Sequence, residues 1–161
     1  MKKVSAVFGG LAALAIFGGS IAAELPTATV SEVVASGRQL SRPEVEVLAV
    51  GSQIKRYIPT GVRYNTHSWV CRRDGTVGDF TNDRDGETGA VRSMGGTGTC
   101  RIDDNGRLCT KVQMGMKVEA SEVCRFIFEF GGAYWGVARR KNLKNPDAPA
   151  ILHVFVRPSE Q

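Results

Sequence analysis

The sequence predicts a mainly β domain: a curled antiparallel sheet or small barrel of six to eight strands with one short N-terminal helix. Three observations lead to this class. Apolar and polar residues alternate through most of the chain after residue 52. Turn sequences such as Asp74-Gly75, Asn105-Gly106 and Gly131-Gly132 separate the alternating segments. Glycine is abundant, with 19 residues against 6 prolines, and this balance suits many tight turns.

One helix is predicted before the strands, over about residues 42–50. Ser41 is a suitable N-cap, Pro43 suits the first turn, and Glu44 completes a capping box. Apolar residues then recur at helical spacing, and Gly51 can adopt the left-handed conformation that ends a helix.

Eight segments are predicted as strands, and residues 24–40 are expected to form a loose or partly helical lead-in. The strand segments cover residues 52–58, 62–73, 76–80, 97–103, 107–114, 123–130, 133–139 and 151–157. Residues 81–89 are polar and charged, so an exposed loop is expected there.

Length and composition fit a single folded domain. The chain has 161 residues, of which 42% are hydrophobic and 23% charged, and this balance excludes wholesale disorder. The net charge of +5 falls to +3 without Lys2 and Lys3, which is too small a surplus to indicate nucleic-acid binding. The densest basic run, at residues 139–144, is expected to be a solvated loop.

Residues 1–23 are predicted to be a secretory signal peptide. Lys2 and Lys3 precede an apolar stretch that ends in small residues, where a signal peptidase would cut near Ala23 or Glu24. A membrane anchor is the alternative, but glycines interrupt the stretch and no basic stop-transfer cluster follows. We therefore expect residues 24–161 to form one disulfide-bonded β-rich domain. It would be periplasmic or secreted, with no stable membrane span after cleavage.

Four cysteines indicate two disulfides. An even number of cysteines in an exported chain predicts pairing without a free thiol, and the four are Cys71, Cys100, Cys109 and Cys124. No pair has the C-x-x-C spacing of a structural zinc site. Neither histidine is close to a cysteine in sequence, so a catalytic thiol is not indicated.

The hairpin around Gly131-Gly132 predicts the centre of the core. A two-residue loop there places three large aromatic residues on one face of the hairpin: Phe126, Phe128 and Trp135. Burying each would contribute about 1.5–3 kcal/mol or somewhat more. The opposite face carries Arg125, Ile127, Glu129 and Tyr134.

The hairpin around Asn105-Gly106 bears on the disulfide pairing. A two-residue turn would place Cys100 and Cys109 on one face but diagonally, roughly 7–8 Å apart, which is too far for an unstrained disulfide. The local pairing Cys71–Cys100 with Cys109–Cys124 is therefore favoured. The pairing Cys71–Cys109 with Cys100–Cys124 stays open.

Several stretches resemble a known family. They are residues 98–110 and the Cys124 strand with residues 131–135, supported by residues 41–51, 69–75, 96–100 and 106–109. The chain resembles, over about residues 40–140, a family of small exported Gram-negative proteins common in rhizobia and their relatives, a domain of unknown function. This chain has Cys100 where the family usually has tryptophan, and it also has Cys71. The resemblance implies an extra disulfide in place of a packed aromatic, and it implies no activity.

Patterns for common chemistry are absent from the sequence. The acidic stretch at residues 79–87 does not fit an EF-hand, because Thr81 and Arg92 stand where Asp and Glu are needed. Gly95–Gly98 lacks the Lys-Ser/Thr end of a phosphate loop, and no G-x-S-x-G places a nucleophilic serine. His67 is expected to point away from the face of Trp69.

His153 is likewise expected on an outer face, that of the last strand, and both histidines are interpreted as surface residues. No catalytic, cofactor-binding or metal-binding residue is predicted, so an enzyme is the less favoured class. The favoured function is a non-enzymatic binding or cell-envelope-associated module. It would act as a monomer on an unknown protein or small envelope ligand, not on nucleic acid. The alternative is a secreted inhibitor or effector that docks through residues 81–94, and a hydrolase with an unrecognised site is the third hypothesis.

Overall fold

The computed structural model describes residues 25–60, 63–84, 96–113, 121–138 and 145–157, with the side chains of residues 60, 63, 64, 83 and 84 excepted. Three predicted features lie outside the described residues: the signal peptide, the basic run at residues 139–144, and most of the proposed docking loop.

Two helices and nine strands make up the described chain. The helices are α1 (Val30–Ser36) and α2 (Arg42–Ala49). The strands are β1 (Arg38–Gln39), β2 (Gln53–Thr60), β3 (Arg63–Cys71), β4 (Thr76–Arg84), β5 (Gly96–Ile102), β6 (Leu108–Gln113), β7 (Glu122–Phe130), β8 (Ala133–Val137) and β9 (Ile151–Val156). The eight predicted strands are all present as β2 to β9.

The sheet closes into an antiparallel barrel. The strand order is β7-β6-β5-β4-β3-β2-β9-β8, and β8 pairs back onto β7. The short strand β1 extends the sheet along the second half of β7, where Arg38 pairs with Glu129, beyond the part of β7 that pairs with β6. The predicted fold class is therefore confirmed, with the barrel as its closed form.

Strand β4 is longer than the sequence predicted. Thr81 and Asn82 were expected in an exposed loop, but they pair with Ser68 and His67 of β3. A β-bulge lies just before this segment, at Asp79, whose φ is 49°. The polar composition of residues 81–84 was thus misleading, because cross-strand pairing with β3 extends the strand.

Helix α2 covers one end of the barrel, as its capping residues predict. Ser41 and Glu44 form the reciprocal capping box, and Gly51 has a φ of +81° just beyond the helix. The buried residues of α2, Val45 and Ala49, belong to the same apolar cluster as the inward-facing residues of β2 and β3. The opposite end is where β2, β4, β6 and β8 end and where β3, β5, β7 and β9 begin.

Helix α1 lies in the lead-in that was expected to be loose or partly helical. Residues 30–36 form this second helix, which Thr29 and Glu32 cap reciprocally. This helix packs on the outside of the barrel, where Val33 joins an apolar cluster with Phe126, Phe128 and Trp135. The predicted hairpin register is correct and these aromatic residues are buried.

Their face is nevertheless not the centre of the core. It forms the outer wall beneath α1, and the opposite face, with Ile127, points into the barrel. Because the sheet is closed and α1 covers part of it, both faces of this hairpin are buried. The sequence could indicate which residues share a face but not which face points inward.

The turn between β5 and β6 differs from the prediction by one residue. Ile102 pairs with Leu108 instead of Cys109, and the loop is closed by the Asp103 N–H, which donates to the Arg107 carbonyl at 3.0 Å. The Asp103 carboxylate also accepts hydrogen bonds from backbone N–H groups inside this wider turn. The shift places Cys100 and Cys109 on opposite faces of the sheet, not on one face.

The disulfides have the pairing favoured from the sequence, although one premise was wrong. Cys71–Cys100 lies among the inward-facing core residues and joins β3 to β5. Cys109–Cys124 joins directly paired residues of β6 and β7. No cysteine is free.

Candidate functional site

A row of polar side chains crosses the barrel interior. His153, Arg56, His67 and Asn82 are successive cross-strand partners on β9, β2, β3 and β4. Residues two apart in a strand face the same way. Each member of the row is two residues from an inward-facing core residue of its own strand, namely Phe155, Ile54, Trp69 and Phe80. We call these four residues the interior polar row.

Arg125 reaches the same region from β7. It lies two residues before Ile127, which is completely buried in the barrel. Gly136, the cross-strand partner of Ile127 on β8, provides the space that Arg125 needs. A Cβ atom at Gly136 would lie 2.9 Å from Cδ of Arg125 and 2.8 Å from Nδ1 of His153. Arg125 and His153 therefore both pack against the one residue of β8 that has no side chain.

Arg56 contacts two residues of β3. Its Nη2 donates a hydrogen bond to Nδ1 of His67 at 2.6 Å, and its guanidinium lies 5.4 Å from the ring centroid of Trp69. A guanidinium has no acceptor, so Nδ1 of His67 accepts and this imidazole is neutral, with its proton on Nε2. Burial, and then the charge of Arg125, lower the pKa of Arg56 to about 10.

Arg56 and Arg125 thus place two positive charges in the interior, and no described residue is a counterion to either of them. Burial also lowers the pKa of Arg125. Among the residues that the structure describes, no ion pair includes Arg56 or Arg125, whereas Arg101 and Arg107, for example, are paired with carboxylates. Buried charges in proteins are normally paired with an opposite charge.

His153 is neutral and contributes no compensating charge. It is 3% exposed, and its Nδ1–H donates to the Ile151 carbonyl at 2.9 Å. Burial lowers the pKa of His153 to about 3; the hydrogen bond to Ile151 opposes this shift, and the charges of Arg56 and Arg125 add to it. Its Nε2 is consequently unprotonated at neutral pH.

Three N–H groups in this region have no hydrogen-bond partner within the described chain. They are Nε of Arg56, Nε of Arg125 and Nε1 of Trp69, all of them buried. A buried donor without a partner costs about 1–3 kcal/mol, and more when it carries charge. These three buried donors can therefore bind an acceptor that comes from outside the described chain.

This arrangement of unpaired N–H groups could bind a hydrogen-bond acceptor. The hydrolase hypothesis required a histidine beside carboxylates, but His67 and His153 lie beside arginines instead. Ser68, next to His67 in sequence, faces away from the interior, and its hydroxyl accepts a hydrogen bond from the Gln53 side chain. The described residues of the interior thus do not combine a nucleophile with a base.

Both histidine placements predicted from the sequence are wrong. His67 shares the inner face with Trp69, because residues two apart in a strand point the same way, and His153 faces inward and is buried. Arg56 and Arg125 were not predicted as site residues from the sequence. Each shares a strand face with a core residue, Ile54 or Ile127, but the sequence did not show that this face points inward.

A second cluster contains atoms that could bind a metal ion, but these atoms already have partners within the chain. Atoms of Asp103, Cys109 and Cys124 lie within 4.8 Å of one another. The two sulfur atoms are bonded to each other, and the Asp103 carboxylate accepts hydrogen bonds from the side chain and backbone of Arg107. This cluster therefore stabilises the β5–β6 turn and the β6–β7 pairing.

The chain matches no family model, no curated protein and no solved structure. The resemblance to a family of exported Gram-negative proteins stays a prediction. Neither helix in the described chain is long and apolar enough to cross a membrane. The two disulfides fit an extracellular or otherwise oxidising compartment.

Proposed function

We propose that this protein is a non-enzymatic binding module that holds a small molecule inside its β-barrel. The observation that carries the proposal is the set of three buried donors without partners: Nε of Arg56, Nε of Arg125 and Nε1 of Trp69. A ligand with hydrogen-bond acceptors would satisfy them and remove the cost of leaving them unpaired.

The architecture supports this use of the interior. An eight-stranded barrel is wide enough either to be filled by its own side chains or to hold one small ligand. Helix α2 covers one end, and the apolar residues beneath it fill that part of the barrel. The interior polar row lies further along the strands, towards the end of the barrel where β2 ends and β3 begins.

The proposed compartment is the periplasm or the extracellular space. The apolar segment at residues 1–23 and the two disulfides support this location. N-terminal sequencing of exported protein should begin near Ala23 or Glu24. Recovery of the intact chain from the membrane fraction would contradict the proposed export.

A fragment screen by NMR on the ¹⁵N-labelled exported chain tests the binding function. The library contains neutral and charged small molecules. We expect saturable shifts at the interior polar row and at the Trp69 indole N–H. Trp135 serves as an internal reference, because its Nε1–H already donates to the Phe130 carbonyl on the outer wall.

Two matched variants locate the binding. Ile58→Trp adds an indole to the inner face of β2, two residues from Arg56, and should abolish the shifts by filling the interior. Lys55→Trp places the same side chain on the outer face of that strand and should leave them unchanged. Fragments that shift only outer-wall residues, or that bind equally to the Ile58→Trp protein, would contradict an interior site.

A further inference from the structure

We infer that the ligand is a small organic acid whose carboxylate lies between Arg56 and Arg125. This inference rests on the proposed function, which requires only that some small molecule occupies the barrel. It adds the chemical class of the ligand, and three features of the interior support it.

The first feature is the charge of the site. Arg56 and Arg125 bring two positive charges into the barrel, and His67 and His153 are neutral. No described residue supplies a neutralising carboxylate to either arginine. A bound anion would supply the missing charge, whereas a neutral ligand would leave the two guanidinium groups repelling each other.

The second feature is the kind of donor left unpaired. Arginine commonly binds carboxylates through two N–H groups of its planar fork, and the carboxylate has two oxygens with about four acceptor positions. Nη2 of Arg56 is engaged by His67, but its Nε is unpartnered, as are Nε of Arg125 and Nε1 of Trp69. One carboxylate has enough acceptor positions for these three donors.

The third feature is the surface next to the donors. The inward-facing residues that adjoin the interior polar row include the aromatic rings of Trp69, Phe80 and Phe155. His67 contacts Phe80 edge-on, and His153 stacks on Phe155. This boundary favours an acid with an apolar body over a bare inorganic anion.

A pair of probes with nearly the same shape tests the inference: benzoate and benzamide. Each is titrated into the ¹⁵N-labelled exported chain, and the Trp69 indole N–H resonance is followed against that of Trp135. We expect benzoate to shift the Trp69 resonance saturably and to bind at least 10-fold more tightly than benzamide. Chloride and inorganic phosphate are titrated in parallel, and both should bind more weakly than benzoate.

Arginine variants test which positive charge binds benzoate. Arg56→Met and Arg125→Met should each weaken benzoate binding at least 10-fold, and they should weaken the binding of uncharged benzamide by a smaller factor. Arg101→Met is the matched control, because Arg101 lies on the outer face and pairs with Glu122. If the interior variants do not fold, the comparison of the two probes on the unmodified chain decides.

The outcomes separate this inference from the proposed function. Equal affinity for benzoate and benzamide would overturn the carboxylate assignment but not the proposal that the barrel binds a small molecule. Binding of chloride or phosphate as tight as that of benzoate would overturn the organic acid. Absence of binding by both probes would overturn the inference, and the fragment screen would still decide separately whether the interior takes any ligand.

Discussion

Gly136→Ala is a minimal perturbation of the candidate site, since it adds one methyl group and removes no functional group. The new Cβ would lie against the His153 ring and 2.9 Å from Cδ of Arg125, both held in the barrel interior. Overpacking a buried site in this way costs about 1–3 kcal/mol. For a domain of this size, that corresponds to a fall in Tm of roughly 3–10 °C.

The matched control is Gly78→Ala on β4, another strand glycine. The three atoms nearest to a Cβ there belong to the guanidinium of Arg72, at 2.5–2.6 Å, and the exposed Arg72 side chain can swing aside. The reduced flexibility of the unfolded chain then makes this change neutral or slightly stabilising, by up to about 1 kcal/mol.

Thermal unfolding followed by circular dichroism measures both variants, and benzoate titration measures their binding. We expect Gly136→Ala to lower Tm and to weaken benzoate binding. Gly78→Ala should leave Tm unchanged or slightly higher and should leave benzoate binding unchanged. An unchanged Tm for Gly136→Ala would refute the packing of Arg125 and His153 against β8, and with it the geometry of the candidate site.

Three further predictions concern stability. Trp135→Ala should lower the free energy of unfolding by about 3–5 kcal/mol in urea titrations, because it removes a buried aromatic side chain from beneath α1; an unchanged midpoint would contradict that packing. Replacing Cys109 and Cys124 by alanine should cost about 2–4 kcal/mol, and non-reducing peptide mapping of the parent chain should show only Cys71–Cys100 and Cys109–Cys124. Between pH 6.5 and 5 the unfolded chain protonates His153 while the native chain does not, because burial lowers the native pKa to about 3. Stability should therefore fall by roughly 2 kcal/mol over this range, and His153→Gln should remove that part of the fall.

Local features of the structure were predictable because they depend on neighbouring residues. The capping box of Ser41 and Glu44 sets the start of α2, and two glycines set the turn between β7 and β8. The turn between β5 and β6 was predicted one residue out of register. There the Asp103 carboxylate stabilises a wider loop. The Asn-Gly pair alone predicts a two-residue turn and does not indicate this wider one.

The candidate site was not predicted because the closure of the sheet creates it. In an open sheet with one solvent-exposed face, Arg56 and His153 would be assigned to solvent, and His153 was accordingly predicted to lie at the surface. Closure gives the barrel an inner face, and cross-strand pairing brings the two residues together from β2 and β9, almost one hundred positions apart in the chain.

The sequence by itself determined the class of fold, the extent of nearly every strand and the one capped helix that it predicted. These follow from alternation, capping and turn chemistry, which act over a few residues. Only the tertiary structure decided which face of each strand points inward, because that depends on how the sheet closes and on where α1 and α2 pack. The same closure placed Arg56 and Arg125 in one interior. These two charges are far apart in the sequence, and only the folded barrel brings them together.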